Sequence, residues 1–255
     1  MINDDNHYQR VKSAMVKVRW DGVIPFEAFI DRERTMYGET EANEKDVDSE
    51  IEYGKRQVKA WMNAYSLNRW SNQPIYLEVW VEKKAIQGVF ERPCLYNGVG
   101  LAPCKGYPSL TFLNEARERF EKAIDEGKTP LILYYGDYDP SGKDIPRSLQ
   151  ENLYRMGVEV EVRPMALNPD QIKNLGLVGV PPKRTDTRTR SWTGGDVVEL
   201  DAIEPRTLAD MCKKHIKEQF DEDLYDELKE KESEEKSIYK EALKDFVNSL
   251  GDDEE

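Results

Sequence analysis

Leu131-Ile132-Leu133-Tyr134-Tyr135-Gly136-Asp137-Tyr138-Asp139-Pro140-Ser141-Gly142 is an apolar run that ends in two aspartates one residue apart and leads into a turn and a helix start. The run reads as a fully buried strand. In an extended chain residues i and i+2 share a face, so Asp137 and Asp139 can aim both carboxylates at one point beyond the strand end. Open α/β sheets bind ligands at that edge. The segment Asp139-Pro140-Ser141-Gly142 also suits a type I turn, with Ser141 and Asp144 able to cap the following helix. That reading leaves Asp137 without a role.

Working outward, Leu110, Leu113, Ala116, Phe120 and Ile124 form a helical stripe stopped by Gly127. After the aspartates, Ile145, Leu149, Leu153 and Met156 mark a helix closed by Gly157, and Val158, Val160 and Val162 mark a strand. Upstream, Ile75, Leu77, Val79 and Val81 alternate with Tyr76, Glu78, Trp80 and Glu82, which predicts a strand ending at Glu82. Strands alternating with helices imply right-handed crossovers and a largely parallel sheet, hence an α/β fold. Such a sheet delivers Glu82 to the same edge as Asp137 and Asp139. An acidic cluster with no basic partner among its immediate neighbours calls for a cation, and an all-oxygen set suits Mg²⁺ or Mn²⁺.

Nearer the N-terminus, Tyr8, Val11, Met15 and Val18 share a helix with Arg10, Lys12, Lys17 and Arg19, closed by Gly22. Val23-Ile24-Pro25-Phe26 reads as a wing or short strand, Tyr37 to Asp48 as a loop, and Val47 to Tyr65 as a helix carrying Gly54. Past Pro164 a strand is expected at Val197 to Leu200 and a helix from Thr207 to about Leu228. A peripheral helix through Ile238, Ala242, Phe246 and Leu250 follows, with Gly251 to Glu255 disordered. The divisions drawn from this are 1–70, 71–216 and an acidic helical tail, 217–255.

The chain has 255 residues and a net charge of −13. Residues 217–255 carry 16 acidic and 6 basic residues, a net −10, which leaves −3 for the rest. The overall acidity therefore does not exclude nucleic acid from the body of the molecule. Cys94, Cys104 and Cys212 lack zinc spacing, and no long apolar stretch or leader pattern is present, so a cytoplasmic protein without membrane spans is expected.

Glu82 on one strand and Asp137-Tyr138-Asp139 on a later one resemble the Toprim domain, whose acidic triad binds Mg²⁺ in topoisomerases, primases and certain nucleases. Within that group the sequence is most similar to the A subunit of type IIB topoisomerases and its meiotic double-strand-break relative. Val81-Glu82-Lys83, the Asp-x-Asp-Pro-x-Gly string, Ala166 to Ile172, Pro182 to Asp186 and Val198 to Ile203 carry the likeness over residues 70 to 225. It implies that Glu82, Asp137 and Asp139 are metal ligands at a site that cleaves or nicks DNA phosphodiesters. Lys83 is either an exposed lysine or a phosphate contact, and Lys183, Arg184, Arg188 and Arg190 either track a DNA backbone or form a solvated loop. A homodimer and an ATPase partner subunit are implied by the family alone. Its nucleophilic tyrosine lies in a Thr-x-Arg-x-x-Tyr-Tyr context ahead of the Toprim domain, and these 255 residues lack that string. The segment Tyr8 to Arg34 resembles the later part of the family's winged helix. Tyr8 and Tyr37 are poor substitutes for the nucleophile. Three expectations stand: water-based cleavage at the metal site, a DNA- or partner-binding protein that does not cleave, or a natural chain that starts further upstream.

Overall fold

A computed structural model describes residues 5–28, 46–182 and 192–249. Tyr37, Lys183, Arg184, Arg188, Arg190 and the last residues, 250–255, lie outside the described residues, as does the Tyr8 side chain. The chain divides into two compact units, Met1–Arg56 and Gln57–Glu255. The first holds helix α1 (Asp5–Trp20), a turn at Gly22, a short 3₁₀ turn at Phe26–Ala28 and the start of α2 (Val47–Asn63). Val23 to Phe26 forms no strand: Val23 and Ile24 fold back to the Val18 carbonyl instead. None of the described side chains of this unit is buried, so it contributes no core.

The second unit is built on β1 (Ile75–Val81), β2 (Gly100–Pro103), β3 (Thr129–Tyr135) and β4 (Glu161–Ala166), all parallel, in the order β2-β1-β3-β4. The connections are α3 (Gln87–Asn97), α4 (Leu110–Asp125) and α5 (Pro140–Arg155). They are followed by α6 (Pro169–Asn174), α7 (Pro205–Lys217) and α8 (Glu222–Ser249). Val79, Val81, Leu133 and Tyr135 face Phe90 and Cys94 of α3 and Leu208 and Cys212 of α7. Trp80, Ile132 and Tyr134 face Leu113 and Phe120 of α4 and Ile145 and Leu149 of α5. Both faces are covered, as the continuous apolar run of β3 requires. Helix α3 leads from β1 to one side and α5 leads from β3 to the other, so β1 and β3 flank the point where the winding reverses.

Several elements differ from the sequence expectation. The residues between Glu82 and Leu110 supply α3 and β2, both unforeseen, because Pro93 sits inside the helix and β2 is a four-residue edge strand. β4 begins at Glu161, with Val158 and Val160 buried ahead of it. Val197 and Val198 make only isolated antiparallel bridges, to Val180 and Tyr138. The helix expected over 207–228 breaks after Lys217. Gln73, almost fully buried, accepts from the Asp221 N–H (2.8 Å) and donates to its carbonyl (2.9 Å), and Asp221 Oδ1 then caps α8 through Asp223 and Leu224. No helix among the described residues is long and apolar enough to cross a membrane.

Candidate functional site

The ladder between β1 and β3 extends one residue past Val81, where the Glu82 N–H donates to the Tyr135 carbonyl at 2.8 Å. This places the Glu82 side chain above the end of β3. Its Oε2 accepts the Asp137 backbone N–H (2.9 Å) and the Tyr134 hydroxyl (3.2 Å). Both bonds fall on one oxygen, so Oε1 stays available. Gly136 makes this approach feasible, because a Cβ there would lie 2.6 Å from Glu82 Oε2 and 2.5 Å from the Tyr134 ring.

Asp137 is buried, and its Oδ1 accepts the Leu200 N–H at 2.7 Å. The Tyr138–Val198 bridge runs alongside, so the segment around 198–201 is clipped to the site from two directions. Asp139, rather than Ser141, is the N-cap of α5: its Oδ1 accepts the Gly142 N–H at 2.6 Å, and Pro140 occupies the first helical turn. The turn-and-cap reading and the functional reading thus share one residue. Gly142 packs against Asp137 so closely that a Cβ would fall 2.1 Å from the Asp137 carbonyl oxygen.

The expectation that the acids lack a basic partner is overturned by Lys83. Its Nζ lies 3.1 Å from Asp137 Oδ2, 2.9 Å from Glu199 and 3.8 Å from Asp201. Glu199 and Asp201 lie in the stretch Val198 to Ile203 and were not among the residues expected at the site. Leu200–Ala202 forms a 3₁₀ turn, so the pair shares no strand face, and the available signal was its place in that stretch.

Burial raises the pKa of Glu82, and the charges of Asp137 and Asp139 add to it against the two hydrogen bonds. Burial also raises that of Asp137, opposed by the Leu200 N–H and by Lys83. For Lys83 burial works against the charged form, but Glu199 and Asp137 outweigh it and push the pKa up to about 12. Burial lowers the pKa of Lys143, one residue past Gly142, whose Nζ sits 5.1 Å from the centre of the Tyr138 ring.

Among the described residues, no group of three or more His, Cys, Asp or Glu side chains is set to hold a metal ion as it stands. Lys83 holds Asp137, and Asp139 commits one oxygen to its cap. The donors that remain are hard carboxylate oxygens. Mg²⁺ keeps several waters and takes only one or two carboxylates beside a substrate phosphate, so this donor set suits it without a closed protein cage. Comparison of the chain with protein-family models, curated proteins and solved structures finds no match.

Proposed function

We propose that this chain is a Toprim-type protein, related to the A subunits of type IIB topoisomerases, that acts on DNA phosphodiesters with Mg²⁺ or Mn²⁺ held at Glu82, Asp137 and Asp139. The observation that carries the reading is the meeting of Glu82 and Asp137 where the winding reverses, with the Asp137 N–H on Glu82 Oε2 at 2.9 Å. When bound, the metal would hold the scissile phosphate and offset charge on its attacking and leaving oxygens. The chain's own residues set up that encounter. Tyr134 and the Asp137 N–H orient Glu82, and the Leu200 N–H orients Asp137. Tyr134 is no substitute for the family's nucleophile, because it is buried and burial beside Glu82 drives its pKa far up. In the reading proposed here a metal-activated water is the attacking group, and the reaction class is metal-dependent hydrolysis. Lys83 and the basic stretch Lys183, Arg184, Arg188 and Arg190 are the DNA-backbone contacts in this reading. A homodimer would present one site to each strand, an ATPase subunit is the partner the family implies, and the cytoplasm is the proposed location.

One observation favours a second reading. Lys83 already supplies a positive charge to Asp137, so the edge is stable without a metal, as in a DNA- or partner-binding protein that does not cleave. Supercoiled plasmid incubated with Mg²⁺ or Mn²⁺ separates the two. Wild type should nick or linearise it, while Asp139→Asn, which keeps the helix cap, and Glu82→Gln, which keeps both accepted bonds, should not. Equal products from all three, or none from wild type, would sink the hydrolytic reading. Retained DNA binding without products would establish the second.

A further inference from the structure

We propose that Lys83 holds, as an ammonium, the place on Asp137 that a divalent ion takes, and that Glu199 and Asp201 are the berth that receives Lys83 when the ion enters. The inference rests on the metal reading above. Lys83 Nζ is within 3.1 Å of Asp137 Oδ2. A Mg²⁺ ligand distance of about 2.1 Å to the same oxygen would crowd two cations onto one acceptor, which their mutual repulsion opposes. One must leave. The side chain of Asp137 is 9% exposed, whereas those of Glu199 and Asp201 are 68% and 46% exposed. Lys83 therefore bridges an inner carboxylate and two outer ones.

Its flexible four-carbon stem lets the ammonium move outward while still bonded to Glu199, at 2.9 Å already its shortest contact. The backbone between the outer pair is held in place, because the Leu200 N–H is fixed to Asp137 Oδ1. Ion entry thus costs the Asp137 contact but leaves Lys83 at the sheet edge, charged and turned toward solvent. There its natural ligand is an anion such as a backbone phosphate. Lys83 acts through Asp137 and is a positioning residue that sets metal affinity.

The test is Mn²⁺ titration of the full chain, reading free Mn²⁺ by its paramagnetic resonance signal. Lys83→Met should bind Mn²⁺ about tenfold more tightly than wild type, equivalent to about 1.4 kcal/mol. Lys83→Arg, which retains the charge, should not. Glu199→Gln alone should weaken binding severalfold, and in the Lys83→Met background its effect should shrink below about twofold. Binding by Lys83→Met equal to or weaker than wild type overturns the displacement. An equal Glu199→Gln effect in both backgrounds overturns the berth. Saturable binding abolished by Glu82→Gln upholds the metal reading in either case. If neither wild type nor Lys83→Met binds Mn²⁺, both that reading and this inference fall.

Discussion

At the scale of single residues the candidate site is held by contacts that leave little slack. Gly142 is the sharpest case, since the atom a Cβ would meet at 2.1 Å is backbone carbonyl and has no rotamer to escape into. Gly142→Ala should destabilise the protein by about 1–3 kcal/mol or more in denaturant titrations. Gly88→Ala, in α3 with nothing within 4 Å, should be neutral or stabilising by about 0.4–1 kcal/mol. Similar midpoints for the two variants would contradict the packing described. Glu82 carries a second prediction. Its pKa is raised in the folded protein, so between the unfolded and folded values the native state binds more protons, and stability falls as pH rises through that window. Glu82→Gln removes the buried charge and preserves the bonds to Oε2. Without divalent ions it should therefore be more stable than wild type at pH 7, with the gain vanishing as pH falls below about 4, under the ordinary Glu value. A gain that grows toward acid would reverse the sign and refute it.

At the scale of elements, α8 shows how tertiary contacts override a local pattern. The periodicity from Thr207 continues to Leu228 with no glycine or proline, yet the chain turns at Asp221, which Gln73 holds by both backbone groups. Helix α8 then runs back along the approach to β1. The Leu67 N–H donates to Glu232, and Tyr65 donates to Glu235. Gln73→Ala would remove both bonds that hold the exposed Asp221 backbone, at about 0.5–1.5 kcal/mol each. We expect a loss of about 1–3 kcal/mol and faster hydrogen exchange at the Asp221 amide. Unchanged protection there would show that α8 is held by other means. The same logic explains what was legible. β1 and β3 were readable because both follow strong apolar rules, and so were the helix ends at Gly127 and Gly157, which adopt φ of 79° and 93°. Glu78 was not. In the alternating pattern it resembles a residue on a polar face, but it is buried and bonded to Arg119 of α4, to Trp80 and to Tyr76. Only the packing of α4 reveals that partner. Glu82, Asp137 and Asp139 were placed at one edge by strand ends alone. Lys83 reaching Glu199 and Asp201 depended on a segment 116 residues away that no periodicity locates.

At the scale of the whole molecule, the DNA-binding proposal requires a chain of net charge −13 to hold a polyanion. Position decides this more than total charge. The acids lie past the C-terminal ends of β1 and β3, whereas α8 starts at the opposite edge, where Asn72 and Gln73, just ahead of β1, bond Leu224 and Asp221. Seven residues of strand separate the two edges, a span of about 20 Å. The screening length at physiological salt is about 8 Å, so the anchored start of α8 lies more than two such lengths from the candidate site. On the DNA-binding proposal, neutralising acids of α8 that are free of the clasp, as in the triple variant Glu227→Gln, Glu230→Gln and Glu234→Gln, should change duplex affinity less than about twofold at 0.15 M salt. A larger gain is expected at 0.01 M, where the screening length grows to about 30 Å. Fluorescence anisotropy at the two salt concentrations reads both. A severalfold gain already present at 0.15 M would mean that DNA lies along α8, and the binding surface would then have to be sought there rather than at Glu82, Asp137 and Asp139.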